Sequence, residues 1–529
     1  MLGDFSQEQL SSPGDSASFA YYLTWNLHAL TSGLDPFFTP NLYAPDGLDI
    51  GNAISIPSVS ILVAPVTWLF GGTVAFNVAV ILSIVLCALS VYLLSHELFR
   101  NRSGALLAGL IASLSPYFAG HILGHLNLMW IFGLPLLAYL VARAANKRLR
   151  RRWLILGVAL IVVFTLGAST ELFVTESLFA GAALVIALAV GSAPTRTRLV
   201  RLLLPIGAGY VAGVALGLPV IFAALRSGVP SEPVNPPSIY VTEFTNLFIP
   251  TEVTAIGGNI FTDAREAWLA GASENTAYIP ITLIVLMALV LRAMRERRPL
   301  GIAVFAVVSL VASFGPLLMV NGKWTIPMPW GLIVEIPLID HALPMRFSAF
   351  TFMALAVLVA YLWSTRRPRR VITGALALAT CVLLIPTTEG IIYPVQARDP
   401  EFVTSGQIDD YVQSGDNVLV LPAGQWGPGM RWVAESDFRF TTPTGNGGGA
   451  ALPAALRDPT GVALYVDDFD YDFASTLPTY LAKYDVDTIL VPEEEANWKA
   501  VVDGAITAPG ELHGGVWVYE LGPSHQSPR

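Results

Sequence analysis

"ANKRLRRRW" (residues 145–153) carries five basic side chains in nine positions, between the apolar runs 126–144 and 153–170. A helix needs about 20 apolar residues to cross roughly 30 Å of hydrocarbon, and each flanking run approaches that length. Lys and Arg concentrate in loops kept on the cytoplasmic side, so this hinge gives both spans a direction. Working outward, similar apolar stretches recur near 73–98, 104–121, 172–192, 200–224, 276–295, 300–320, 346–364 and 370–388, which makes ten in all. The other basic groups, "RNR" (100–102), "TRTRLVR" (195–201), "RAMRERR" (292–298) and "STRRPRR" (364–370), fall in every second loop. That alternation sets these loops in the cytoplasm. It places the 226–275 and 321–345 segments and both chain ends outside.

The composition agrees. Of 529 residues, 54% are hydrophobic and 13% charged, and the mean hydropathy is +0.59. Soluble domains carry about 25% charged residues. Cys87 and Cys381 both sit in apolar runs and read as small hydrophobes, which implies no disulfide framework and no thiolate metal site. The net charge of −9 is uneven: residues 388–529 hold 21 acids against 7 bases, and the rest of the chain comes to about +5. An acidic extracytoplasmic domain attached to a membrane body explains this split. No basic stripe exists outside the short interhelical loops, which excludes nucleic acid as a partner.

The fold expected is a mostly α-helical, polytopic transmembrane bundle of about ten spans with a small C-terminal α/β domain. The domains would be 1–72 (a first outer loop), 73–389 (the helical body) and 390–529 (the outer domain), with the protein in the plasma membrane. In the last domain "NVLVLPA" (417–423), "DTILVPE" (487–493) and "GVWVYEL" (515–521) read as buried strands, and "PTYLAKYDV" (478–486) as a helix. The loop "GNGGGAA" (445–451) lacks the spacing and the Lys of a nucleotide site and reads as a flexible rim. "DDFDYDF" (467–473) reads as a solvated acidic edge rather than a calcium or carbohydrate site.

Residues 1–53 contain six acids and no base, and Arg100 is the first basic residue. If "ISIPSVSILVAPVTWLFG" (54–71) spanned, this acidic stretch would be cytoplasmic. An interfacial helix with Pro57, Pro65 and Trp68 fits the charge rule better. The order of an acid, an aromatic helix (18–32), "DPFFTPNLYAPDG" (35–47) and the 54–71 helix resembles the first outer loop of the GT-C superfamily. These are multi-spanning glycosyltransferases that use lipid-phosphate sugars. "LGHLNL" (123–128), "NLFIPTE" (246–252), "ENTAYI" (274–279) and "HALPMRF" (341–347) look like a bacterial branch of such proteins. The family's outer loop follows a first span, and no signal peptide is visible here. Either the first long span is a reverse anchor or a span lies upstream of Met1; the resemblance points to the second.

The resemblance implies sugar transfer from a polyprenyl-phosphate donor to an extracytoplasmic glycan, lipid or protein, with inversion. Such a reaction needs a base for the acceptor's proton and a holder for the leaving phosphate. Asp15, where the family's acid would be, is the candidate base; it could equally cap the helix starting near Ser16. Asp4 is the rival. Bases facing outside are few: Arg226, Arg265, Lys323 and Arg346. Arg346, at a span end, is the first candidate for the phosphate, with Lys323 second; snorkelling at the interface is the bland alternative for Arg346. His121 and His125, one helical turn apart, could hold a divalent metal or simply pack at a helix end. No cofactor is otherwise implied. Glu171, at an outer span end, could face the same cavity as the histidines. Glu274, Asp340 and His341 are further polar residues on that side. From a different class, a non-catalytic protein that exports, binds or scaffolds an envelope glycolipid would use the same features. A transporter is disfavoured, since no internal repeat is seen.

Overall fold

A computed structural model describes residues 5, 8–11, 15–51, 55–228, 235–337, 339–365, 370–389, 392–394, 400–424, 427–446 and 453–522. The chain divides into two compact units, Met1–Ala79 with Pro219–Ser231 and Ile392–Arg529, and Val80–Leu218 with Glu232–Ile391. The expected first loop (1–72) and outer domain (390–529) thus fall in a single unit.

In that first unit the helix Asp15–Ser32 turns Tyr21, Tyr22 and Trp25 into a core shared with Phe402, Trp432, Leu464, Leu490 and Tyr519. Aromatic side chains bury 150–250 Å² each, so this face supplies much of the unit's apolar burial. Further stitches join the two ends of the sequence. Glu8–Leu10 pairs antiparallel with Ile392–Pro394. Asn41 Nδ2 donates to the Phe438 and Phe440 carbonyls at 3.0 and 2.9 Å. The C-terminal part holds a four-stranded sheet, in the order Val418–Val420, Thr488–Pro492, Val516–Glu520, Glu511–His513. Its first pair is parallel, with the helix Phe473–Lys483 in the crossover. The acidic run folds around that helix start: Asp472 caps it by accepting from Ser475 N, and Asp467 accepts from Trp498 Nε1 at 3.2 Å.

The 54–71 segment is helical from Pro57, within Pro57–Phe99, which breaks at Gly71 (φ 81°). Ile61, Trp68, Leu69 and Phe70 are exposed there. A Cβ on the next residue, Gly72, would lie 2.8 Å from the Ala20 carbonyl, so glycine lets the aromatic helix pass close over this one.

The second unit is helical, and each of the ten predicted stretches contains a helix. Seven helices of the chain's described residues are long and apolar enough to cross a membrane: Pro57–Phe99, Arg102–His121, Leu126–Ala145, Arg151–Ala168, Thr170–Val190, Ala193–Leu216 and Pro344–Thr365. Ile281–Ala293 and Arg370–Leu383 are shorter apolar helices. This is a multi-pass membrane protein. The 200–224 stretch breaks after Leu216 into two helices, and 300–320 stops at Ser313, where Gly315 (φ 68°) leads into the strand Leu317–Val320. Ser348–Thr365 is the most deeply buried span and packs against Arg297–Ser313 and Arg102–Ser113. Ser309 and Thr351 hydroxyls meet at 2.8 Å between two of them. Arg151–Ala168 and Ala193–Leu216 approach backbone to backbone: a Cβ on Gly209 or Gly213 would sit 2.7 Å from the Ile155 or Ala159 carbonyl. Small residues four apart on one face permit this in a membrane, where apolar side chains alone give no driving force.

Candidate functional site

Four short stretches far apart in sequence meet in the second unit. "NLFIPTE" braces "ENTAYI": Asn246 Oδ1 accepts from Ala277 N at 2.8 Å, and Ile279 N donates to the Leu247 carbonyl at 3.0 Å. Gly120 lets the braced loop lie on the helix Pro116–His121, since a Cβ there would fall 2.5 Å from the Ser273 carbonyl. Glu274 is thereby set beside the histidines of "GHILGHLN", its Oε1 at 4.0 Å from His125 Nε2. "HALPMRF" delivers Arg346 from the turn Pro344–Phe347 that opens the central helix.

Arg346 lies between two carboxylates. Its Nη1 donates to Glu171 Oε2 at 2.5 Å and its Nε to Glu274 Oε2 at 3.1 Å, while Nη2 reaches Glu274 Oε1. The fork on Glu274 is the bidentate geometry in which arginine and carboxylate bind most strongly. Glu171 stands in the first turn of Thr170–Val190, where the helix dipole favours an anion. Burial pushes the Glu274 carboxyl up, but the Arg346 guanidinium, by its charge and its hydrogen bonds, outweighs it and holds the group at about 2. The pair breaks strongly if one member is removed, because the survivor is a buried charge without a partner.

His121 is fully buried. Its Nδ1 donates to the Tyr117 carbonyl at 2.8 Å, and its ring stacks on Tyr117 with centroids 3.9 Å apart. That bond fixes the tautomer and leaves Nε2 as an acceptor, which has no hydrogen-bond partner among the described residues. The His121 and His125 rings are 5.5 Å apart. Among the described residues no group of three His, Cys, Asp or Glu side chains is arranged to hold a metal ion.

Of the remaining candidates, Lys323 is exposed at the start of the strand Lys323–Pro327 and makes no ion pair among the described residues. Asp340 and His341 contact each other at 4.0 Å in a partly exposed loop. Asp4 lies outside the described residues. Arg226 is occupied by Asp35 at 2.8 Å and Asp49 at 2.6 Å, and it fastens the first loop. Arg265 pairs with Glu252.

Asp15 forms a second, separate cluster within the first unit. It is the first residue of the aromatic helix and is half-buried. Asn446 Nδ2 donates to Asp15 Oδ1 at 3.0 Å and to Ser18 Oγ at 2.9 Å. Tyr465 OH donates to Asn446 Oδ1 at 3.2 Å, and Tyr22 OH to the Asn446 carbonyl at 3.2 Å. The amide is therefore oriented from both ends. The described part of the loop read as a flexible rim is bonded at Gly445 as well, whose carbonyl accepts from Tyr43 OH at 2.6 Å; residues 447–451 of that loop lie outside the described residues. Sequence reasoning missed Asn446; its signal was a lone amide side chain among glycines.

The architecture has known counterparts. The arabinofuranosyltransferase AftD from Mycobacteria superposes with a TM-score of 0.56 at 12% identity, over 99% of this chain and 40% of that one. ArnT from Cupriavidus metallidurans, solved bound to undecaprenyl phosphate, gives 0.54 at 13% identity, over 99% of this chain and 96% of that one. The polytopic helical fold with a small C-terminal α/β part, expected from the sequence, is thus found, and it is the fold of these two proteins. No curated protein sequence matches the chain. Residues 6–385, more than half of the sequence, match the family model described as a domain of unknown function (DUF6311), and the chain belongs to that family.

Proposed function

We propose that this protein is a plasma-membrane glycosyltransferase that moves a sugar from a polyprenyl-phosphate donor to an extracytoplasmic acceptor, a glycan, lipid or protein of the envelope. The first loop and the C-terminal domain face outside, as the distribution of Lys and Arg requires. The GT-C fold supports the reaction class, and ArnT, which this chain matches over nearly its full length, binds undecaprenyl phosphate. A fold alone does not assign chemistry, so the reading rests on a site. The observation that carries it is Asp15, a half-buried carboxylate aimed by Asn446 at the head of the first-loop helix.

In this reading Asp15 takes the proton of the acceptor hydroxyl. The freed oxygen attacks the anomeric carbon from the face opposite the phosphate, so the configuration inverts. The C–O bond to the phosphate breaks and the lipid phosphate leaves with the electron pair. Among the described residues Asp15 Oδ2 carries no hydrogen bond, which leaves it a lone pair for this step. Lys323, exposed and without an ion pair, is the freer cation for the phosphate. Arg346 could hold phosphate only if Glu171 or Glu274 gave way, since its donors are engaged by both. His121 Nε2 offers an acceptor for a sugar hydroxyl, with His125 beside it, while Glu171 is held by Arg346.

The test is transfer by the purified protein in liposomes carrying a labelled polyprenyl-phosphate sugar. Asp15→Asn is expected to lose about 10²–10⁴-fold in rate, and Lys323→Gln to raise the donor KM. An Asp15→Asn variant at full rate would refute the assignment.

A further inference from the structure

We infer that the second unit carries a binding site for the phosphate head group of an anionic membrane lipid, separate from both clusters above. A cavity of about 400 Å³ is lined by Arg100, Lys147, Arg148, Arg198 and Arg298, together with Glu97. The five cations come from the ends of four helices, three of them long and apolar enough to cross a membrane. Arg100 follows Pro57–Phe99, Lys147 and Arg148 follow the span ending at Ala145, Arg198 sits in the first two turns of Ala193–Leu216, and Arg298 opens Arg297–Ser313. The mouth is therefore at the level where hydrocarbon gives way to head groups.

The positive-inside rule explains why these residues lie on one side of the membrane. It does not explain why they converge on one concavity. Glu97, buried, spends its charge on two of them: it pairs with Arg100, and its Oε2 lies 3.7 Å from Arg148 Nη1. Asn146 Nδ2 completes its shell at 2.8 Å. Arg148 is further held through its carbonyl by Arg143. The acid thus fixes one wall rigidly. Lys147, Arg198 and Arg298 are exposed and form no ion pair among the described residues. Five cations against one carboxylate leave a surplus of positive charge that attracts one phosphodiester, or the two of a dimeric phospholipid, and is offset in part by them. Arginine forks suit phosphate oxygens in particular, and basic pockets between helices on this face are the setting for head-group recognition.

The full-length protein in phosphatidylcholine nanodiscs doped with phosphatidylglycerol tests this, with bound lipid read by native mass spectrometry. The Arg198→Gln/Arg298→Gln variant is expected to bind phosphatidylglycerol about 30-fold more weakly, and Lys147→Gln, made separately, to weaken it in the same direction. Arg201→Gln/Arg295→Gln, which removes two exposed arginines from the same loops but outside the cavity, should bind as the parent does. Equal loss in that control, or unchanged binding in the first variant, would overturn the site. Glycerol phosphate or inorganic phosphate displacing the lipid at matched concentration would overturn its assignment to a lipid.

Discussion

Asn446 Nδ2 donates to Asp15 Oδ1 at 3.0 Å, across 431 positions of sequence. The bond ties an acid of the first loop to a glycine-flanked amide of the C-terminal domain, within one core. Tyr465 orients the amide through its Oδ1 and Tyr22 holds the Asn446 main-chain carbonyl, so Asn446 is a positioning residue for Asp15 rather than a reacting group.

Replacing that amide separates positioning from chemistry. Asn446→Ala is expected to lower the transfer rate about 10–100-fold with little change in donor KM. Asn446→Asp sets a second carboxylate beside Asp15 in place of the donor, so like-charge repulsion replaces the hydrogen bond, and it should lower the rate further than Asn446→Ala with donor KM again kept. Transfer rates and donor KM measured separately for both variants check this, since a merely structural loss would not spare KM.

The Arg346 cluster bears on stability whatever the reaction. Arg346→Met leaves Glu274 buried, and Glu171 part-buried, without their cation and is expected to cost about 3–5 kcal/mol. Arg346→Lys keeps a charge but loses the fork on Glu274, and should recover only part. Adding Glu274→Gln to Arg346→Met should restore stability relative to the single variant. Thermal unfolding in detergent resolves the series.

The same cluster predicts an acid limb of stability. The Glu274 carboxyl is held at about 2, below its ordinary value. Its contribution is therefore fully present above the ordinary glutamate range near 4.3 and lost as pH falls through that range toward about 2. Unfolding midpoints measured between pH 6 and pH 3, at about half-unit steps, should fall for the parent and flatten for Glu274→Gln.

Gly120→Ala tests how the loop is seated. The new Cβ would meet the Ser273 carbonyl at 2.5 Å, and backbone cannot yield as a side chain can. The loop carrying Glu274 must lift, with a cost of about 1–3 kcal/mol. Protease sensitivity of the 266–275 segment should rise with it.

Much of this molecule was legible in its sequence. Each of the ten apolar stretches contains a helix because a bilayer demands continuous apolar length, and that is a local property. Helix ends were less legible. Gly217 and Gly315 interrupt the 200–224 and 300–320 stretches without a change in hydropathy. Among the site residues, Arg346, Glu274 and the group of His121, His125 and Glu171 were singled out separately, and the structure gathers them around Arg346 and Glu274. Their pairing was not legible, since "HALPMRF" and "ENTAYI" meet through a fold and not through spacing. The union of residues 1–79 with 392–529 was hidden for the same reason. Charge reports the side of a membrane a segment faces, not the core it joins. Asn446 was invisible because a glycine-rich stretch reads as flexible until tyrosines are seen to hold it.

The central claim is that Asp15 is the base of a glycosyl transfer. The most direct measurement is the single-turnover rate of Asp15→Asn against the parent, in liposomes loaded with a labelled polyprenyl-phosphate sugar, with donor binding measured in parallel. The account predicts a rate lower by about 10²–10⁴-fold with donor binding kept. Transfer at the parental rate with donor bound would contradict it.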